Sequence, residues 1–375
     1  MSSPGRILIA GGGIAGLTLA IALRQRGFTA ELIERSMNWD AIGAGIAVQP
    51  NGMRVLRTLG IGAAVERAGM IVRRWLFRDQ HGAVLCDTDL EALWGEVGPF
   101  IGVERVKLQE ALRSGAAAVP CRLGTWVTSL RQDDRRVSVK FSDGTAGEYD
   151  LVIGADGIFS TVRQSALSTA APVYSGQMAW RSLAPIRPRE LNSVQFWLGD
   201  GCFFGLCPVG DGRTYGFGNV TEPRLRDAIQ GRLQRLRHRF AGFGGLVRDY
   251  LACLESDQQI HCGPIEWLEL DRWHIGRVVL IGDAAHASSP MMGQGGCMAM
   301  EDALVLAQIL HSTAHVENAL DMFVTRRRPR VNWVQQESRA VGDMLRRPPD
   351  LRNAVLRERG TRLLHDRFRP LTAPP

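Results

Sequence analysis

Four segments of this 375-residue chain carry glycines and aspartates at spacings suited to holding a phosphate-bearing ligand. The first is Gly11-Gly12-Gly13-Ile14-Ala15-Gly16. In a GxGxxG segment the first glycine makes a tight turn, the second lets backbone approach a pyrophosphate, and the third lets helix pack on strand. Alone the pattern is weak. Here the apolar run from Arg6 to Ala10 precedes it, and Ile14 to Arg26 has apolar residues at helical spacing before a stop at Gly27. A second strand-like run, Thr29 to Ile33, ends at Glu34, 18 residues beyond Gly16. That is the position for a carboxylate on ribose hydroxyls.

The second segment, Gly154-Ala155-Asp156-Gly157, ends the apolar run Leu151 to Gly154, with Arg163 shortly after. In isolation a strand-terminal Asp-Gly is usually only a turn. The third, Gly282-Asp283-Ala284-Ala285-His286, ends the run Arg277 to Ile281. A carboxylate there is placed to accept a ribose-type hydroxyl, whereas His286 reads as structural. The fourth, Pro290-Met291-Met292-Gly293-Gln294-Gly295-Gly296, opens a helical pattern. Such a loop turns backbone N–H groups toward an anion.

These segments need elements to position them. The short buried strands and the helix between the first two describe a strand–helix–strand unit. Val127 to Tyr149 alternates in strand fashion around Ser142-Asp143-Gly144. Val194 to Val220, rich in Phe, Trp, Gly and Tyr, reads as an antiparallel meander with a turn at Gly210-Asp211-Gly212. From about Gln294 to Gly360 the pattern is helical. The expected fold is α/β: a Rossmann-type nucleotide-binding lobe over 1–172 and 269–375, an inserted mixed β substrate lobe over 173–268, and C-terminal helices.

Bulk composition excludes several classes. Hydrophobic content of 45% and charged content of 22% suit a globular chain. No apolar run of about 18 residues predicts a transmembrane helix, and the N-terminus lacks the pattern of a secretory signal. Seven dispersed cysteines read as reduced thiols, predict a cytoplasmic protein, and offer no metal-ligand spacing. The net charge is +7. Its densest cluster, Arg326, Arg327, Arg328 and Arg330, reads as a solvated helix face. No nucleic-acid module accompanies it.

Taken together, GGGIAG, GADG and GDAAH with PMMGQGG resemble the class A flavoprotein monooxygenases, the para-hydroxybenzoate hydroxylase-like enzymes. Glu104-Arg105-Val106-Lys107-Leu108 resembles that family's Arg-x-x-Leu segment, and Gly43-Ala44-Gly45-Ile46 through Pro50-Asn51-Gly52 another of its recurrent stretches. The resemblance spans nearly the whole chain. It is nearest to bacterial alkylquinolone and urate hydroxylases.

That resemblance implies FAD as cofactor, with Gly11, Gly13, Ile14, Ala15 and Gly16 holding its pyrophosphate and Glu34 its adenosine ribose. Arg35 and Val127 are then expected near adenine. Arg105 is expected at the phosphates or ribityl chain, and Asp283 at the ribityl or phosphate side. Ala47, Pro290, Gly293, Gln294, Gly295, Gly296 and Cys297 are expected against the flavin. Asp156 and Gly157 are implied in both FAD and NAD(P)H binding, and the chain has no second GxGxxG for a separate nicotinamide domain. The implied reaction reduces flavin with NADH or NADPH, adds O₂ to give a C4a-hydroperoxyflavin, and passes one oxygen to an aromatic small molecule.

Substrate candidates are Arg181, Phe203, Tyr215 and Phe217, with Trp180, Phe196, Phe204 and Pro290 behind them. Core packing of a sheet is the competing role for each aromatic, and a structural ion pair for Arg181. Phe203 stands where urate hydroxylases use an arginine, which favours a more apolar substrate. No catalytic base stands out. Epoxidation of a lipid-like alkene and a flavin dehydrogenase without oxygen insertion are the alternatives. The expected oligomeric state is a monomer or homodimer.

Overall fold

The computed structural model describes residues 5–39, 44–186, 188 and 191–375. Gly43 of the Gly43–Ile46 stretch lies outside them. The strand Ile7–Ala10 is apolar throughout and fully buried, as a central parallel strand requires. It lies parallel to Leu151–Gly154 on one side and Ala30–Ile33 on the other, with Ala10 opposite Gly154 and Ile33. Val278–Leu280 and Cys121–Arg122 extend the sheet in parallel. His274–Ile275 closes one edge antiparallel, giving six strands. Because these strands run the same way, Gly11, Glu34, Ala155–Gly157 and Gly282–Asp283 all emerge at one end of the sheet. Ligands bind open α/β sheets at that end.

The helix Ile14–Arg24 returns the chain between the first two strands. Its residues from Ala15 to Leu23 are buried on every side, because the sheet covers one face and the helix Gly295–Ser312 packs on another. Gly27, at φ +82, ends the turn after it. Truncating a fully buried side chain here, Ile9 or Leu19, costs about 2–5 kcal/mol.

The second large sheet has seven strands, ordered Ile260–Trp267, Val173–Ala184, Thr214–Thr221, Cys202–Pro208, Val194–Leu198, Arg74–Asp79 and Val84–Asp89. The meander expected from Val194 to Val220 is its centre. Asp211 takes φ 58 in the turn between two of its strands. One boundary differs from expectation. Arg74–Asp79 pairs in parallel with Val194–Leu198, so the sheet draws two strands from within residues 1–172. Their short alternating sequences gave no sign of which sheet they would join.

Alternation sorts this sheet's side chains into two faces. Trp180 and Phe204 point to a rear cluster with Leu236, Phe240, Val247 and Tyr250, beneath the helices Arg232–Arg239 and Gly245–Ala252. Phe203, Phe196, Tyr215 and Phe217 belong to the front cluster, shared with the nucleotide-binding lobe. Trp180 and Phe204 are therefore core residues and not substrate contacts. The helices Val316–Leu345 and Pro349–Phe368 complete the chain, the latter packing on Val84–Asp89.

Candidate active site

The glycine turn is shaped by contact. Gly11 has φ +110, and a Cβ there would sit 2.4 Å from the Ala155 carbonyl oxygen. A Cβ on Gly16 would sit 1.9 Å from the Gly11 carbonyl oxygen. A Cβ on Gly13, in contrast, would meet nothing within 4 Å. The helix that starts at Ile14 has no side-chain cap and no acidic residue in its first turn. Its leading N–H groups therefore face open space with their positive dipole end.

The helix Gly295–Ser312 starts the same way, without a capping side chain or an acid in its first turn. The two starts are adjacent: a Cβ on Gly296 would lie 3.5 Å from Cδ1 of Ile14 and of Ile46. A Cβ on Gly295 would lie 3.9 Å from Asp283 Oδ1. Two helix dipoles thus converge on one space beside one carboxylate. That donor and acceptor set fits the pyrophosphate, ribityl hydroxyls and polar ring edge of FAD.

Glu34 ends its strand facing the same turn. Its carboxylate accepts the Gly12 N–H at 2.7 Å and the Ser36 N–H at 2.8 Å. Arg35 beside it is exposed. Val127 is buried, two residues after Thr125, whose N–H bonds the Glu34 carbonyl at 2.9 Å. Arg35 thus adjoins Glu34 in sequence, and Val127 follows on the strand that the Thr125–Glu34 bond brings near. Ala47 is half-buried in the strand Gly45–Val48.

Asp283 is solvent-accessible yet ringed by protein. This enclosure pushes its carboxyl upward from the usual range, and the positive charges of His286, Arg105 and Arg181 pull it back. The fields of Arg105 and Arg181 also reach Tyr215 and His261. The Arg181 guanidinium lies close enough for its charge to act on the Tyr215 phenol. Arg105 is exposed at the start of its helix. Burial raises the Tyr215 phenol above its ordinary value, against the lowering pull of Arg181 and Arg105, so it stays neutral and able to donate.

Asp156 is divided in its duties. One oxygen, Oδ2, accepts the N–H groups of Thr161 at 2.8 Å and Val162 at 3.1 Å. Oδ1 is buried with no partner among the described residues. Gly157, at φ +79, has open space where a Cβ would stand. The fully buried Arg163 donates to the carbonyls of Ala284 at 3.0 Å and Ile158 at 2.7 Å. It ties the Asp156 and Asp283 segments together.

Sequence reasoning missed the support of the glycine loop. Gln294 turns inward: its amide donates to Gln49 Oε1 at 2.7 Å and to Asn51 Oδ1 at 3.1 Å. Gln49 in turn holds the Met292 carbonyl at 2.6 Å. Cys297 packs its sulfur where a Cβ on Gly52 would stand, 2.7 Å away. The side chains of Gln294 and Cys297 are engaged within the protein, which leaves their backbone to face a cofactor. Gly293, at φ +64, and Pro290 are exposed at the loop's surface.

Behind the loop lies a buried charged network. Asn51 donates to Glu301 at 3.0 Å. Arg327 bonds Glu301 and Asp302, each at 2.8 Å, and Arg330 forks onto Glu301. Asp302 also accepts the Gly282 N–H at 3.0 Å and meets His286 at 2.6 Å. The solvated face expected for Arg326 to Arg330 is therefore wrong at its centre, since Arg327 is 0% exposed. The available signal was Glu301-Asp302, two acids inside an otherwise apolar helix. His286 is structural, as read, and lies against Trp273.

The aromatic sheet faces this cleft. One register row runs His261, Arg181, Phe217, Gly205, Phe196, Phe77. Phe217 lies edge-on to Phe196 and stacks on Tyr215. Phe203, 7% exposed, sits 6.0 Å from Phe196 between ring centroids. A Cβ on Gly45 would strike Cγ of Tyr215 at 2.3 Å. The seven-stranded sheet and the strand carrying Ala47 therefore touch directly. A separate surface groove lined by Asp271, His274, Asp321, Arg328 and Asn332 holds none of these motif residues.

The two uncapped helix starts beside Asp283 and the aromatic row next to them fit the class to which the chain's relatives assign it, an FAD-dependent monooxygenase. Residues 5–338 match the family described as FAD binding domain, and the chain belongs to that family. It is 34% identical over 341 residues to the aurachin C monooxygenase/isomerase of Stigmatella aurantiaca, covering 90% of this chain and 89% of that one. It is 33% identical to the FAD-dependent urate hydroxylase of Klebsiella pneumoniae, covering 87% and 86%. The solved structure of Klebsiella pneumoniae HpxO with FAD and uric acid superposes with a TM-score of 0.92 at 30% identity, covering 99% of this chain and 97% of that one. Among the described residues, no helix is long and apolar enough to cross a membrane.

Proposed function

We propose that this enzyme uses NADH or NADPH and O₂ to hydroxylate an apolar aromatic or heteroaromatic small molecule. The observation that carries the reading is the cleft itself, two uncapped glycine-led helix starts and Asp283 facing the front row of aromatics. Bound FAD supplies the hydride acceptor and the oxygen activation. The chain's own groups do the rest. The N–H groups at Gly13–Ala15 would hold the pyrophosphate, and those at Gly295–Cys297 would favour negative charge at the cofactor's polar ring edge. Arg105 and Arg181 add positive charge to that end of the cleft. Asp156 Oδ1, which has no partner among the described residues, and Asp283 would accept cofactor hydroxyls.

Phe203, Phe217 and Phe196 supply a dry wall, which would keep water from the reacting centre and stack a flat ring beside it. Tyr215, held neutral, donates a hydrogen bond that turns the substrate. The test is NADH and NADPH oxidation by the yellow protein with phenols, quinolones, benzoates and polyketide-like aromatics. An aromatic that speeds oxidation several-fold and is recovered hydroxylated supports the reading. A colourless protein that takes up no FAD contradicts it.

A further inference from the structure

Asn219 lies on the strand Thr214–Thr221, two residues after Phe217. It pairs across the sheet with Ala179 on one side and Phe203 on the other. Its strand neighbour Gly218 faces the rear cluster, where a Cβ would meet Phe240 and Phe204. Alternation therefore turns Asn219 to the front, into the wall formed by Phe203 and Phe217. It is 2% exposed. Neither Oδ1 nor Nδ2 has a hydrogen-bond partner among the described residues.

That pattern is costly without a purpose. A buried amide left unpaired on both atoms destabilises the fold, and native chains almost always pair such groups. An apolar residue of similar size would fill the space at no such cost. Other buried atoms here lack partners, among them the indole N–H groups of Trp75 and Trp180. Those are single donors on side chains whose bulk serves the core. Asn219 contributes little apolar bulk, and both functions of its amide are idle.

We propose that Asn219 is a specificity-determining residue, which reads the polar edge of the substrate. An amide offers an acceptor beside a donor. Its complement is a ring presenting a donor beside an acceptor: a lactam, or a phenol with an ortho amino or hydroxyl group. Phe203 and Phe217 then receive the apolar face of the same ring. A substrate lacking that edge leaves the amide unpaired and is rejected, which is a stronger filter than shape. This inference rests on the proposed hydroxylase reading, with Phe203 and Phe217 in the substrate wall.

The test uses the FAD-loaded enzyme and two planar probes, quinolin-2(1H)-one, which has the lactam edge, and naphthalene, which lacks it. Dissociation constants come from the flavin absorbance change and from the shift in unfolding temperature. Wild type is expected to bind the lactam about tenfold to a hundredfold more tightly than naphthalene. Asn219→Leu is expected to erase that preference by weakening the lactam alone, while raising the melting temperature. Asn219→Ala, which avoids any crowding by leucine, is expected to do the same to the preference. An unchanged preference in either folded variant overturns the proposal, as does a wild type that binds neither probe or does not discriminate. Failure of the hydroxylase reading is separable: it shows as wild-type enzyme that hydroxylates no aromatic, whatever these affinities are.

Discussion

Two buried polar groupings flank the same cleft and are built in opposite ways. Behind the Gly293 loop, Glu301, Asp302, Arg327, Arg330 and Asn51 share bonds until both carboxylates are fully partnered. On the aromatic sheet, Asn219 has no partner for either amide atom. The first grouping spends its polarity inside the protein and fixes backbone for a cofactor that does not vary. The second leaves polarity open, as the proposed reading of a substrate edge requires. A network with every group paired serves as scaffolding here, whereas an amide idle on both atoms, beside the proposed substrate wall, is the group free to recognise a ligand.

The largest expected effect breaks the satisfied side. Arg327→Met removes a buried charge that bonds Glu301 and Asp302 and leaves Asp302 Oδ1 unpartnered, and equilibrium denaturation is expected to show a loss of about 3–5 kcal/mol. A loss below about 1 kcal/mol would mean that the network does not hold the loop. Next comes the cofactor carboxylate. Asp283→Ala is expected to weaken FAD retention about tenfold to a hundredfold, measured as flavin per protein after dilution. Full flavin content would remove Asp283 from the site.

On the aromatic side, Phe203→Arg puts a charge into an apolar wall. KM for the aromatic substrate is expected to rise about tenfold, with FAD content unchanged. Unaltered kinetics would place Phe203 outside the pocket. The smallest effect concerns pH. Burial alone would raise the Asp302 carboxyl, but His286 and Arg327 together hold it below its ordinary value. A depressed folded value stabilises above the unfolded value of about 3.9, and that contribution is lost as pH falls below it. Denaturation midpoints are expected to fall on acidification below about pH 4, and less steeply in Asp302→Asn. Equal slopes would show that Asp302 carries none of the acid sensitivity.

The cofactor half was legible in the sequence because backbone geometry demands particular residues there. Only glycine fits at Gly11 and Gly16, against carbonyls 2.4 and 1.9 Å from a would-be Cβ. The parallel strands were legible as unbroken apolar runs. The network at Arg327 was not, since a run of arginines has the same pattern whether it faces water or buried acids. Nor was the recruitment of Arg74–Asp79 into the substrate sheet, which depends on pairing across more than a hundred residues. Phe203 and Phe204 differ only in strand phase, and register alone decides which faces the cleft.

The central claim is oxygen insertion supported by bound flavin. The direct measurement is mass spectrometry of the product formed by the purified yellow enzyme, with NADPH or NADH and an accelerating aromatic, under ¹⁸O₂. One ¹⁸O atom in the hydroxylated ring is the expected result. Product oxygen drawn from water, or consumption of O₂ to H₂O₂ with every aromatic returned unchanged, would contradict it.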